Sequence, residues 1–548
     1  MITGLVRRIF GSGARSLTSI HVYGSRCYCV IREDHAHGLK FLGKHTGRKQ
    51  IEKLLSATAI EIDFSRYVAS GLIGECCPLK RIYVNQLPAN TPTRDRWNAG
   101  LTQVDGVVSS FLFTVLDGHI GTACVHALAW AILDYVGASF LDNDKLELVL
   151  NHYRTHELGQ PYHLARRLDL LSSEGRRRLG HAAGPPPTQL SQYIKRCLHD
   201  YVKDLVSRPS RNLDPAYCLT ESLLRLDDDL CSIGKDIDLR AGFYESPPDG
   251  FPDDYEPTLS RDLIRVALSG AVGVTGRLYW RETESDPDQP IHLHVANVGD
   301  CGAVLLRLED PLATDKNDMH LRAVCCTTPH QGAVNRSELE RIQAEHPENP
   351  LSELFRDGGR LLGELLPSRA FGDVRYKWPA ARLLEMSKAL SELSSPQAPK
   401  LSPKADSSPL PHPYTSPPYL TAKPEVTHFE ITRADRFLVL ATDGFWEMLS
   451  IEEVRKIMED ELRERTSPAT RLLWNCLATV PPPIAKAIAN DGIGNSGTRA
   501  ESRTAKHEQR ESQQKSFGRA FKLLSLPPGL ARYYRDDITV MVIELSPK

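Results

Sequence analysis

One stretch limits what this chain can fold into more than any other: Ser110-Phe111-Leu112-Phe113-Thr114-Val115-Leu116-Asp117-Gly118-His119-Ile120-Gly121. An apolar run of strand length is followed by a carboxylate, a glycine and an imidazole. Its length and period predict a buried strand. The two glycines permit a tight turn or a close backbone approach where the run stops. Residues 122–136 then predict a helix with a threonine cap and a stop at Gly137. An acid at the end of a buried strand is costly unless it is paired or bound to a metal.

The same theme returns twice. Phe437-Leu438-Val439-Leu440-Ala441 is a buried-strand run closed by Thr442-Asp443-Gly444, with helix expected from Phe445. Near the C-terminus, Arg535-Asp536-Asp537 precedes the apolar run Ile538-Thr539-Val540-Met541-Val542-Ile543. If this last strand runs antiparallel to the other two, Asp117, Asp443 and Asp536 meet at one edge of a sheet. Like charges held close need a cation, since otherwise at least one carboxylate tends to protonate. Hard oxygen ligands without accompanying cysteine favour magnesium or manganese over structural zinc.

A chain of 548 residues, 41% of them hydrophobic, can bury a large core. The net charge of -2, with both signs abundant, gives no footprint for nucleic acid or a membrane surface. No uninterrupted apolar run is long enough to cross a bilayer. The 12 cysteines form no paired-knuckle array, so reduced structural thiols are expected. Residues 1–32 carry Arg7, Arg8, Arg15, Arg26 and Arg32 and no acidic residue, among apolar positions such as Leu5, Ile9 and Phe10. That composition predicts a mitochondrial transit peptide.

Between these landmarks the expectations are coarser. Residues 46–58, 189–206, 219–228, 335–346 and 451–462 read as helices, and 166–178 as a solvated helix face. Residues 84–96 read as a polar loop containing Asp95 between two arginines. Residues 266–278 and 291–300 read as strands, with a hairpin at Gly299-Asp300 leading into Cys301–Leu306. His292 and His294 point away from the Leu293 and Val295 face and are read as half-buried or solvent-side residues rather than ligands. Residues 361–373 end in another turn near an acid, Asp373. Variable insertions are expected near 141–260, 391–418 and 491–516, within one domain spanning 46–548.

With these residues in view, the sequence resembles the PPM or PP2C family of metal-dependent serine/threonine protein phosphatases. The resemblance rests on five blocks in order: Leu116–Gly121, Ala296–Asp300, Arg369–Asp373, Ala441–Glu447 and Arg535–Thr539. Asn85-Gln86-Leu87-Pro88-Ala89-Asn90, Pro417–Val426, and Leu523–Pro527 leading into Leu530-Ala531-Arg532 resemble the mitochondrial pyruvate dehydrogenase phosphatase subgroup. The resemblance implies an α+β fold, a four-layer α/β/β/α sandwich with two central, mainly antiparallel sheets. It implies two divalent cations, Mg2+ or Mn2+, with Asp117 bridging them, Gly118 offering its carbonyl, and Asp443 and Asp536 each holding one. His119 corresponds to the family's general acid, donating to the departing seryl or threonyl oxygen after attack by metal-activated water.

Three departures from the family pattern stand out. Arg94 replaces a glutamate before Asp95, so Arg94 and Asp95 are candidates for orienting the metal ligands or touching phosphate. Pro329 occupies a position where the family often has an aspartate, which puts a third metal site in doubt. Cys301-Gly302 replaces serine-arginine. The subgroup resemblance implies a matrix location, phosphorylated pyruvate dehydrogenase E1 alpha as substrate, docking to the lipoyl-bearing E2 core, and a regulatory subunit. The competing reading is a catalytically weak, phosphatase-like binding or scaffold subunit of the same complex. A two-metal nuclease is disfavoured because no basic or aromatic groove is evident.

Overall fold

The computed structural model describes residues 20–23, 26–29, 58–71, 73–90, 92–104, 107–155, 165–167, 188–233, 264–280, 290–312, 319–391, 408–464, 467–478, 531–533 and 535–547, with a few isolated positions. The expected 46–58 helix and 491–516 loop lie almost wholly outside these residues, as does the leader apart from an antiparallel hairpin of Ile20–Tyr23 with Arg26–Cys29.

Thirteen strands build the centre: β1 (Ile60–Asp63), β2 (Leu79–Leu87), β3 (Arg96–Val104), β4 (Val107–His119), β5 (Ala165–Arg167), β6 (Gly270–Tyr279), β7 (Ile291–Val298), β8 (Gly302–Leu308), β9 (Leu321–Cys325), β10 (Phe371–Gly372), β11 (Glu425–Ile431), β12 (Asp435–Ala441) and β13 (Ile538–Leu545). One sheet has the order β9-β8-β12-β13-β2-β1. The other has β11-β7-β6-β4-β3-β5, with β10 beside β6. Every pairing within the two sheets is antiparallel.

Alternation along the strands makes the layers. On β4, Phe111, Phe113 and Val115 enter the core shared by the two sheets, where they meet Val84, Leu440 and Met541 of the facing sheet. Leu112 and Leu116 point the other way, onto α1 (Ala123–Ser139), α2 (Thr188–Ser207) and α3 (Pro215–Ser232). On the far side, Val439 of β12 and Val540 and Val542 of β13 pack under α4 (Ile451–Glu464) and α5 (Pro468–Ala478). This is the four-layer α/β/β/α sandwich. A strand covered on both faces must be apolar throughout, which is why β4 and β12 read as continuous runs rather than alternating ones. Each fully buried Leu or Phe contributes about 1.5–3 kcal/mol to this arrangement.

Several expectations need correction. β4 does not end at Asp117; it continues through His119, and the turn falls at Ile120 and Gly121, both with positive φ. α1 runs past Gly137 to Ser139, and Thr122 makes no side-chain cap; Ser269 Oγ instead accepts the Cys124 N–H at 3.0 Å. Residues 84–87 belong to β2 and Arg96 opens β3, so only 88–95 is loop. Residues 264–268 are helical, and the strand expected from 266 starts at Gly270. The only part of 166–178 that is described, Arg166–Arg167, closes β5 rather than forming a helix face. The hairpin at Gly299-Asp300 does not form: β7 and β8 lie in different sheets. Gly299, at φ 95, carries the chain between layers where a Cβ would press on Val272 at 2.3 Å.

Candidate active site

The register of the two sheets brings the acids together. Ala441 pairs with Val540, so Asp443, just past the end of β12, and Asp536, just before β13, emerge at the same end of one sheet. Across the sandwich, Asp117 lies two residues from the end of β4, paired with Val272. Burial raises the Asp117 pKa well above the ordinary carboxylate range, and the charges of Asp95, Asp443, Asp536 and Asp300 push the same way.

Asp95 and Asp537 hold the polar loop in place. Asp95 is buried; its Oδ2 accepts from Thr442 Oγ1 at 2.9 Å and Thr539 Oγ1 at 2.8 Å, tying the loop to both acid-bearing turns. Burial first, then the charges of Asp537 and Asp536, raise its pKa well above normal. Asp537 accepts from the backbone N–H groups of Ala89 (2.5 Å), Asn90 (2.9 Å) and Arg94 (2.8 Å) and from Asn90 Nδ2 (2.8 Å). Asn85 donates to Leu55 O and Thr470 Oγ1 and accepts from Thr58 Oγ1; Gln86 Nε2 donates to Thr539 Oγ1. The Asn85–Asn90 motif is therefore a structural seam that ties the loop to Asp537 and Thr539 beside the Asp536 turn.

His119 faces a partner the sequence reading missed. Its Nε2 lies 2.5 Å from Oδ2 of Asp373, a side chain with 0% exposure. Burial opposes the charged imidazole, yet the charge and hydrogen bond of Asp373, with Asp300 adding, raise its pKa above the ordinary histidine value. This contact needs Gly270, whose Cβ would fall 2.1 Å from Asp373 Oδ2 and 2.3 Å from His119 Nε2. Asp373 itself adopts φ 52, ψ 47. Behind it, Asp227 of α3 accepts the Gly372 N–H at 2.8 Å and both its oxygens bind Lys377 Nζ, so a helix of the variable region braces the site. The RAFGD block signalled a turn, but only the fold shows which side chain it delivers to His119.

Ile120, the next residue, has φ 61 and is 36% exposed. A β-branched residue in this region costs about 1–2 kcal/mol.

The three departures resolve differently. Arg94 is half-buried beside His119, whose charged form it opposes, and among the described residues its guanidinium takes neither a hydrogen bond nor a carboxylate. Its position is backed by Gly118, where a Cβ would fall 3.0 Å from Arg94 O and 2.6 Å from Val125 Cγ1, so the strand and α1 touch there. Pro329 offers only its carbonyl, to Asn335 Nδ2 at 3.1 Å. The carboxylate that meets Asp443 is Asp300, bound by Gln331 Nε2 at 2.6 Å and pushed up to about 6 by burial and by Asp443. Asp300, which the sequence offered only as a turn residue, thus feels the Asp443 charge where Pro329 has no carboxylate to give. Gly302 leaves room for the Trp446 indole, which a Cβ would approach at 2.6 Å. His292 and His294 keep to the outer face of their sheet, where His294 stacks on His428 at 4.5 Å.

The donor set fits hard divalent cations. Asp95, Asp117, Asp300, Asp443 and Asp536 present only oxygen, and Asp95 Oδ1 is buried without a hydrogen-bond partner. Crowded carboxylates with raised pKa values are those a cation would relieve. Among the described residues no three His, Cys, Asp or Glu side chains are grouped closely enough to hold an ion, and the Arg532 guanidinium pairs with Asp536. A cation at this position would need Arg532 to yield and the acids to draw in.

An antiparallel double sheet with an acidic, oxygen-only centre at one end and an aspartate-held histidine beside it defines a hydrolytic class of site. Residues 269–479 match the Protein phosphatase 2C family model. The chain is 30% identical over 475 residues to mitochondrial pyruvate dehydrogenase (acetyl-transferring) phosphatase 1 of Rattus norvegicus, covering 84% of this chain and 77% of that one. It is 31% identical over 479 residues to the human mitochondrial phosphatase 2 of the same kind, with the same coverage. Among solved structures, a serine-threonine phosphatase 2C from Toxoplasma gondii aligns over 89% of this chain and 99% of that one, at 13% identity and a TM-score of 0.38. The chain belongs to the protein phosphatase 2C family and is a protein serine/threonine phosphatase.

Proposed function

We propose that this chain is a mitochondrial phosphatase acting on phosphoserine or phosphothreonine of the pyruvate dehydrogenase E1 alpha subunit, with two divalent cations, magnesium or manganese. The observation that carries the reading is the meeting of Asp117, Asp443 and Asp536 beside His119 at one end of the sandwich. Asp117, the Gly118 carbonyl, Asp443 and Asp536 would hold the cations, with Asp300 available to a third. When bound, such cations supply an ionised water nucleophile and neutralise phosphoryl charge.

The chain's own residues account for the rest. With Nε2 committed to Asp373, His119 keeps Nδ1 to protonate the departing seryl or threonyl oxygen, which leaves poorly as an alkoxide. Arg94 brings an uncommitted guanidinium to the phosphoryl oxygens. Asp95, fixed by Thr442 and Thr539, keeps the two acid-bearing turns in register. The names of the mitochondrial relatives and the arginine-rich leader support the compartment and the substrate; docking to the lipoyl-bearing E2 core and a regulatory subunit extend the same likeness.

The test is phosphate release from phosphorylated E1 alpha with magnesium or manganese titrated. Release that depends on either cation and stops with chelator is expected; no release with either overturns the proposal. Arg94→Glu has a separate expectation. Manganese binding tightens about tenfold, as an added carboxylate near the acids should bring, while inhibition by inorganic phosphate weakens severalfold. Titration calorimetry and inhibition assays read the two effects, and unchanged phosphate inhibition would remove Arg94 from the phosphate site.

A further inference from the structure

We infer that Ile120 is a substrate-reading residue, selecting phosphorylated serine or threonine with an aliphatic neighbour in the peptide chain. The inference rests on the proposed phosphatase reading of the site and adds a substrate class to it.

Three observations converge on this residue. Ile120 directly follows His119, the proton donor of the proposed reaction, and directly precedes Gly121 and the cap of α1. It holds φ 61, a conformation that suits glycine or asparagine and that a β-branched side chain resists. Its side chain is exposed and belongs to none of the hydrophobic clusters that pack the sandwich. An isoleucine held in this conformation and standing outside the packed clusters is more than the turn itself calls for, since glycine would take the same backbone without strain. Strain of this kind gathers at ligand-contacting positions, where the surroundings hold a side chain ready for a partner.

The neighbours define that partner. A phosphoryl group seated among the acids, His119 and the Arg94 guanidinium places the rest of its peptide over the rim of the site. There an isoleucine offers apolar surface and no hydrogen bond, so it favours a leucine, isoleucine, valine or methionine flanking the phosphorylated residue over glycine or a charged side chain.

Binding tests this apart from turnover. Fluorescent peptides in which phosphoserine is replaced by its non-hydrolysable phosphonate carry leucine on both flanks or glycine on both. Fluorescence polarisation with manganese present gives two dissociation constants. The wild-type chain is expected to prefer the leucine peptide about tenfold, as one aliphatic contact allows. Ile120→Gly should bring the ratio close to one without lowering the melting temperature, since glycine accepts the backbone conformation; Ile120→Val should keep most of it. Equal affinity of the wild type for both peptides overturns the inference, as does a preference that survives Ile120→Gly. Release of phosphate from the corresponding phosphoserine peptides is measured separately and bears only on the phosphatase reading.

Discussion

Asp117→Asn lowers turnover of a phosphoserine protein by at least about a thousandfold, equivalent to about 4 kcal/mol of lost transition-state stabilisation, and at the same time makes the metal-free protein more stable. The two effects share one cause. Asp117 is half-buried where the charges of Asp95, Asp443, Asp536 and Asp300 all bear on it. In the free protein this carboxylate is a liability, and the isosteric amide removes its charge without opening a cavity. With cations it is the residue that would join them, and an amide binds them poorly. The melting temperature of the variant in chelator should rise by about 2–5 °C, and manganese should raise it no further. A residue that mattered only for packing would instead lose stability in both conditions.

The second large effect is a reversal of the pH dependence of stability by metal. Asp300 releases its proton at about 6 in the folded chain, against an ordinary value of 3.8. Between those values the folded state binds more protons than the unfolded one, so stability falls as pH rises through that window. A shift of about two units corresponds to about 3 kcal/mol. Asp95 and Asp117 are raised as well, mainly by burial, and add to the same slope. A cation needs these groups ionised, so its contribution grows in the opposite direction. Thermal melts in chelator should therefore fall from about pH 5 to about pH 8, while the increment from saturating manganese climbs. A flat increment would mean that the cation binds elsewhere.

The parts of this account that were legible in the sequence share a physical reason. β4 and β12 are buried on both faces, so they had to be continuous apolar runs, and an acid attached to such a run stands out. Asp117, Asp443 and Asp536 were visible for that reason, and the antiparallel pairing of β12 with β13 placed the latter two as expected. What stayed hidden depends on contacts distant in sequence. Asp373 looks like a turn residue until the left-handed backbone at its position swings it 2.5 Å from His119. Asp300 looks like the tip of a hairpin, whereas Gly299 carries the chain from one sheet to the other. Residues 264–268 are as apolar as the strand they precede, and periodicity over so few residues does not separate helix from strand. In β3, Trp97, Ala99 and Leu101 alternate with Asn98, Gly100 and Thr102, a short period-two pattern that a glycine and an alanine make weak as a strand signal.

The proposed reaction requires Asp117, Asp443 and Asp536 to close around a pair of divalent cations, and Arg532 would then give up its hold on Asp536. Anomalous diffraction from manganese-loaded crystals reads this directly. Two manganese peaks that share Asp117, one also touching Asp443 and the other Asp536, are the predicted result. Peaks absent from this end of the sandwich, with the Arg532–Asp536 pair intact, would contradict it.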